Sequence, residues 1–545
     1  MNKVLLIGLD GATFDVIRPL AEAGRLPHLN RLLHEGAWGT LNSTIPPISP
    51  TAWTTITTGK NPGQHSVYDF RKFAQVGVSD VDYQRLKNKH KRIWDLLGEA
   101  GLRSIVIDVP FTFPPTPLNG VMLTGYGTPR TPDTIFTYPS DLIERVPQAL
   151  RPEIRVGIPT ERFDRSSAFV DEWTRVMNGR SRLLHHLITN EPWDFFFHVF
   201  SITDNMGHVF WTYIEPSHPN YHKPEAAAFR EAFFHAYEQC DTMLGDMMAW
   251  AGPDTTTIII SDHGFGSIYP RQYLFRRLAE GGFLRYESPP FFSIFGDRLM
   301  KLAMKAYTGL PLLRERIKNL RPQNQATLKK ALKQTSLMPS MQAVDYKRTP
   351  VLPSGFGVQL WVNENGRFPS GTIPSQQVRP MLTKLRSYLL ADSETNTGLP
   401  ILSQAFLGKE VYHGEAARLG PDLIVAYQNF YRPGTQPAHR NPFLEGGHTP
   451  EGIFLAHGSA IEPGQYENLE LADLTPTMLH LMEQAVPPDV NGRVLTELIT
   501  NTFLQKNAVK TGTEPAIFPD QEQTGALTEK EEAELEDQLR QLGYL

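Results

Sequence analysis

The sequence predicts an α/β fold, a three-layer α/β/α sandwich around a largely parallel central sheet, with a helical insertion. Three observations predict it. Short apolar runs (Val4–Leu9, Arg103–Val109, Asp194–Phe200, Thr256–Ser261 and Asp422–Ala426) end in polar residues, as strands covered on both faces do. Longer helical patterns alternate with them; over 225–250, Ala, Phe, Met and Leu recur at three- and four-residue spacing. The 545 residues are 40% hydrophobic and 20% charged, enough to bury a large core and unlike a disordered polymer.

Composition then excludes several classes. With 53 basic and 58 acidic residues the net charge is −5, so the molecule is not a nucleic-acid-binding polycation. A single cysteine, Cys240, leaves no internal disulfide or cysteine metal cluster and favours a reducing compartment. Val4–Leu9 is too short for a signal peptide, and no stretch reaches the roughly 18 apolar residues of a membrane span. The expectation is a soluble, cytoplasmic protein.

In an open sheet of this kind, ligands gather at the carboxyl ends of the strands. The first strand ends at Asp10, which could be a metal ligand or a cap for the next helix. Ser49 follows, directly before Pro50, a residue suited to the first turn of a helix. It could cap that helix. Its hydroxyl could equally serve as a nucleophile at a helix N-terminus, where free N–H groups favour an anion. The run Asp194–Phe200 leads to Asp204-Asn205-Met206-Gly207-His208, a helical-face pair or a turn. Thr256–Ser261 ends in Asp262-His263-Gly264, and Gly446-Gly447-His448 places a histidine in a Gly-rich loop before Ile453–Ala456. Each piece alone has an ordinary structural explanation. Together they supply three Asp and three His, the oxygen and nitrogen donors that two divalent cations require.

Other motifs fail. Gly59-Lys60 lacks the Gly at 54 and the Ser/Thr at 61 of a phosphate loop. Gly8-Leu9-Asp10-Gly11 is not a dinucleotide fingerprint, and neither H-E-x-x-H nor G-x-S-x-G occurs.

Two regions stand apart. Residues 297–333 hold ten Lys/Arg against Asp297 and Glu315. About 285–345 therefore reads as a basic helical insertion or cap, which could meet anionic substrates or touch a membrane surface peripherally. Residues 505–526 read as a polar linker. Residues 527–545 read as an amphipathic helix opening on Thr528-x-x-Glu531, with Leu535, Leu539 and Leu542 on one stripe. Residues 1–500 are expected to form the main domain, to which the resemblance below assigns catalysis.

The ordered set Asp10, Ser49, Asp204-x-x-x-His208, Asp262-His263 and Gly446-x-His448 resembles the alkaline phosphatase superfamily, and within it the type I phosphodiesterase/nucleotide pyrophosphatase branch. So do Thr57–His65, Leu474–His480 and Pro487–Arg493. The resemblance covers about residues 1–500. It implies one metal site from Asp204, His208 and His448, and another from Asp10, Asp262, His263 and the Ser49 oxygen. It further implies a phosphoric-ester hydrolase acting on a small phosphorylated substrate through a phosphoseryl intermediate. The ions would be zinc, with manganese or iron as alternatives. Thr51 is the alternative nucleophile if the loop register differs. His65, in the family-like Pro-Gly-x-His position, is the candidate substrate contact, with Arg71 and Lys72 behind it. One departure is informative: where the branch carries an Asn three residues after its nucleophile, this chain has Ala52. Phosphomonoesterase, phosphomutase or phosphotransferase chemistry, and a non-catalytic metal or headgroup binder, remain the alternatives.

Overall fold

The computed structural model describes residues 2–70, 89–155, 167–269, 271–286, 344–354, 358–393, 398–431 and 444–518, with single positions between 528 and 538. The chain divides into two compact units, residues 1–270 with 390–545, and residues 271–389.

The larger unit is built on a nine-stranded sheet. In chain order its strands are β1 (Val4–Leu9), β2 (Ala37–Asn42), β3 (Ser104–Val109), β4 (Gly120–Thr124), β5 (Thr137–Tyr138), β6 (Phe195–Phe200), β7 (Thr256–Ile260), β14 (Glu451–His457) and β15 (Gly464–Glu470). Strands β8 to β13 (Gly264–Ile268, Val351–Pro353, Gln359–Val362, Leu402–Leu407, Leu423–Tyr427 and Glu445–Thr449) lie outside that sheet. The spatial order is β15-β2-β14-β7-β1-β6-β3-β4-β5. From β7 to β4 every pair is parallel, while β14 and β5 run antiparallel to their neighbours.

Alternation along the strands explains the layers. Leu5, Ile7 and Leu9 of β1 pack with α1 (Phe14–Glu22), α2 (Pro27–Glu35) and three longer helices, α6 (Ser167–Asn190), α7 (Ile202–Ile214) and α8 (Ala226–Ala251). Val4 and Leu6 face the other way, toward α3 (Ser49–Thr58), α5 (Ile93–Glu99) and α9 (Leu474–Leu481). Side chains on a strand point alternately to opposite faces, so a continuously buried strand needs helices on both. Gly8 is the exception that positions the site: a Cβ there would fall 2.5 Å from the Trp53 ring. Its absence lets α3 lie directly on β1.

Two readings of the sequence are corrected. The run Asp422–Ala426 is not part of the central sheet; β12 pairs antiparallel with β11. An apolar strand covered on both faces has the same pattern in either setting. Residues 507–518 do not behave as a free linker. Val486 N–H donates to the Lys510 carbonyl at 2.8 Å, Lys91 N–H to that of Ala516 at 3.1 Å and Phe518 N–H to that of Lys89 at 2.8 Å. Polar side chains conceal this because the bonding is through the backbone. Thr528 and Glu531 bond each other reciprocally. Most of the basic insertion, 287–343, lies outside the described residues, as do Leu539 and Leu542.

In the smaller unit β9 and β10 pair antiparallel, and the Tyr388 hydroxyl donates to the Arg277 carbonyl at 3.1 Å. Among the described residues no helix is long and apolar enough to cross a membrane.

Candidate active site

Three parallel strands deliver the acidic residues. Asp10 follows β1, Asp262 and His263 follow β7, and Asp204 lies in the first turn of α7 just beyond β6. Asp10 is not a helix cap; Thr13 caps α1, accepting from Asp15 N–H at 3.3 Å. Asp204 and His208 sit one turn apart on α7. His448 is on β13, which pairs antiparallel with β8, rather than in a loop at a sheet-strand end. The ribbon carries it back over the site.

The donors converge in two groups, Asp204–His208–His448 and Asp10–Asp262–His263, each with one ligand atom per residue within 4.8 Å of the others. In the first, the two Nε2 atoms are 3.1 Å apart, and each lies 3.3 Å from Asp204 Oδ1. In the second, His263 Nε2 is 3.4 Å from Asp262 Oδ2 and 3.7 Å from Asp10 Oδ1. A cation about 2.1 Å from each of three donors, at tetrahedral angles, leaves those donors about 3.4 Å apart. The first group, at 3.1 to 3.3 Å, meets that spacing, and in the second the two distances from His263 Nε2 fall near it.

The protons also fit. His448 Nδ1 lies 3.0 Å from the Pro47 carbonyl and His263 Nδ1 2.9 Å from that of Gly264. A carbonyl only accepts, so each Nδ1 donates to it and each ring turns its Nε2 to the site. Asp10 Oδ1 and Asp262 Oδ2 are buried with no hydrogen-bond partner among the described residues.

The electrostatics of the carboxylates favour a cation here. Burial, then the charges of Asp262 and Asp204, holds the Asp10 carboxyl well above the usual carboxylate range. Burial pushes Asp262 up to about 7. Burial, then His448, holds His263 well below the ordinary imidazole value. For Asp204 burial acts upward, but His208 and His448 outweigh it and hold the carboxyl well below its usual value. Like charges gathered in a dry site resist ionising together, and a divalent cation removes that opposition.

Ser49 belongs to the second group. It occupies the first position of α3 after Ile48, with Pro50 next rather than at the first position, and its Oγ lies 3.2 Å from His263 Nε2. Trp53, one turn on, donates to Asp10 Oδ2 at 3.3 Å. The Thr51 hydroxyl is buried with no hydrogen-bond partner among the described residues. His65, at the end of α4 (Pro62–His65), is fully buried. Its Nδ1 accepts from Val67 N–H at 3.1 Å and its Nε2 lies 3.0 Å from Thr55 Oγ1. Nε2 thus braces α3 through Thr55 while Nδ1 holds the turn at Val67, and burial lowers its pKa. Arg71 and Lys72 lie outside the described residues.

Sequence reasoning missed Lys60. Its ammonium is wholly buried and meets Asp489 Oδ2 at 2.5 Å, the Ala516 carbonyl at 2.8 Å and His90 Nδ1 at 3.0 Å. It fixes the chain just after the left-handed Gly59 that ends α3.

A sheet with carboxylates and imidazoles at its strand ends, around a serine at a helix N-terminus, defines a metal-dependent hydrolase of phosphoric esters. The family model described as type I phosphodiesterase / nucleotide pyrophosphatase matches residues 4–338, a span that includes every ligand but His448. The chain belongs to that family. Among solved structures, murine ectonucleotide pyrophosphatase/phosphodiesterase 5, as an inactive variant in complex with AMP, aligns at TM-score 0.48 and 14% identity, covering 92% of this chain and 100% of that one. The human protein aligns at TM-score 0.47 and 13% identity, covering 92% and 100%. A search of curated proteins found no match.

Proposed function

We propose that the protein hydrolyses a small phosphoric ester through a phosphoseryl intermediate on Ser49. The observation that carries this is the Ser49 hydroxyl, 3.2 Å from His263 Nε2 at the N-terminus of α3. Asp204, His208 and His448 would hold one divalent cation, and Asp10, Asp262 and His263 with the Ser49 oxygen the other. Bound there, such cations supply Lewis acidity to the phosphoryl group and lower the pKa of a nearby hydroxyl. Zinc fits this mixed donor set, and manganese or iron would also be accepted.

Ser49 Oγ attacks phosphorus, forming the Oγ–P bond as the bond to the ester oxygen breaks. The unpaired N–H groups of the first turn of α3 favour the anion's charge. Water then cleaves the Oγ–P bond, restoring the serine and releasing phosphate or a phosphomonoester. A purely binding protein would not need a hydroxyl at this point, which favours catalysis. Family membership favours diesters, whereas Ala52, buried in the apolar layer, supplies no side-chain donor and keeps monoester hydrolysis or phosphoryl transfer as the second reading. A cytoplasmic setting accords with the single, buried Cys240.

The test is hydrolysis of p-nitrophenyl phosphate and bis-p-nitrophenyl phosphate by stripped protein refilled with Zn²⁺ or Mn²⁺. Mass spectrometry of acid-quenched protein looks for phosphate on Ser49. Metal-restored turnover with labelled Ser49 is expected. Metal-loaded protein silent on both substrates overturns the reading.

A further inference from the structure

The group Asp204–His208–His448 is assembled from two separate elements, so something must fix the spacing between them. Asp204 and His208 ride on α7, and His448 rides on the β13–β8 ribbon. A lone two-stranded ribbon is at best marginally stable in water. This one nevertheless holds His448 Nε2 3.1 Å from His208 Nε2.

The strand register shows how the ribbon meets the helix. Phe265 lies opposite His448, and Ser267 lies opposite Gly446. Residues directly opposite, and residues two apart, share one face of an antiparallel pair. All four therefore share the face whose Phe265 ring meets His208 at 5.0 Å and Trp211 at 5.1 Å between centroids. Two glycines permit that approach. A Cβ on Gly207 of α7 would fall 2.9 Å from the Phe265 ring, and one on Gly446 2.5 Å from the Trp211 Cβ.

A buried relay of polar groups crosses this contact, and neither metal-ligand group includes it. The Trp211 indole N–H donates to Ser267 Oγ at 2.8 Å, and the Ser267 hydroxyl donates on to Glu215 Oε2. Glu215 directly follows α7. Its Oε1 accepts from the Ser217 N–H at 2.9 Å and from the Ser217 hydroxyl at 2.7 Å. Ser267 is fully buried, and Trp211 and Glu215 are nearly so. On the ribbon's backbone, Phe430 N–H donates to the Ser267 carbonyl at 2.7 Å, and Ser267 N–H donates to Asn429 Oδ1 at 3.1 Å. Buried polar groups are costly to leave unpaired. An indole N–H and a carboxylate meeting on one hydroxyl therefore specify one distance between helix and ribbon. A slide of the ribbon that moved His448 would break both bonds.

Resting on the assignment of a cation to Asp204, His208 and His448, we propose that Trp211, Ser267 and Glu215 are positioning residues. Their relay sets the spacing of His208 and His448, and with it the affinity of that group for its cation.

Cobalt(II) is the probe, because its visible absorption reports coordination. Full-length protein stripped of metal is titrated with Co²⁺, and the unfolding midpoint of each variant is followed in parallel. The uptake step that His208→Ala weakens belongs to the Asp204–His208–His448 group. Ser267→Ala should weaken that step by about 10–100-fold and alter its absorption, while the Asp10–Asp262–His263 step stays near wild type. A merely structural serine would lower the midpoint and leave the absorption of the folded, loaded protein unchanged. Trp211→Phe keeps a ring against Phe265 and removes the indole donor. It should weaken the same step by less, and it decides on the same terms if Ser267→Ala does not fold. Folded Ser267→Ala with wild-type uptake and absorption overturns the proposal, and so does equal weakening of both steps. Wild type that takes up no Co²⁺, or whose uptake survives His208→Ala intact, overturns the cation assignment and the proposal with it.

Discussion

The two metal-ligand groups are chemically alike but differently housed. Asp262 and His263 have fully buried side chains and Asp10 nearly so, at 7% exposure. In the other group His208 retains 18%. The buried group stands on the ends of β1 and β7, which are hydrogen-bonded neighbours, and includes the α3 serine. The more open group is assembled from α7 and the β13–β8 ribbon. A nucleophile needs a fixed, dry setting, whereas a position that must admit substrate and water needs an opening. On the proposed reading, attack would fall to the buried group and exchange with solvent to the open one.

The largest effect expected from that division is at Ser49. Ser49→Ala should lower turnover by about 10³-fold or more while both cations stay bound, as measured by metal analysis beside steady-state kinetics. Thr51→Ala should leave turnover near wild type. If the Thr51 variant is the dead one, the division of labour drawn from Ser49 fails.

Next come the ligands. Asp262→Asn should weaken its cation by more than the 10–100-fold typical of outer-shell changes and remove activity at any practical metal concentration. His208→Ala should also weaken binding, but added Zn²⁺ should restore a measurable rate, since water can take the vacated place in the more exposed group. Metal titrations of the two variants decide this. Equal rescue of both would erase the contrast.

The scaffold beneath the buried group is itself testable. Lys60→Met leaves Asp489, about a quarter exposed, without its cation. The expected cost is about 2 kcal/mol, below the 3–5 kcal/mol of a fully buried broken pair, read by denaturant unfolding. Lys60→Met/Asp489→Leu should recover part of it. A single variant as stable as wild type would show that the Lys60 contacts do not secure α3.

How much of this was legible follows from where the information lies. Asp10, Asp204 and Asp262 are visible in sequence because a strand's pattern stops where its ligand begins. Layer order is visible because strand and helix periods differ. Lys60 was considered only as a failed phosphate-loop lysine, since two of its partners, Asp489 and Ala516, are more than 400 residues away. His65 stands in Pro-Gly-x-His, and its contact with Thr55 of α3 is invisible in that pattern. Local pattern marks where chains end and turn, while partnership across the fold is written only in three dimensions.

The smallest effect concerns a polar cluster beside the site that carries no metal ligand. His198 of β6 lies 3.6 Å from Asp108 of β3, which the buried Arg180 pairs at 2.9 Å. Burial, then Arg180, lowers His198 to about 3. Burial raises Asp108 to about 6. The signs oppose. A histidine depressed below its unfolded value of about 6.5 stabilises the fold above that pH and loses the contribution as pH falls toward 3. From pH 7 to 5 this is a loss of about 2 kcal/mol. An aspartate raised above its unfolded value of about 3.9 stabilises below that value and loses the contribution as pH rises through 6, so the same acidification returns about 1 kcal/mol. Wild type should therefore show only a shallow net contribution from this cluster. Asp108→Asn should steepen the fall in stability between pH 7 and 5, and His198→Phe should reverse its local sign, both by urea unfolding at the two pH values. Parallel pH profiles for the two variants would mean that the opposing shifts are not what balances this end of β3 and β6, and that Arg180 alone sets the charge there.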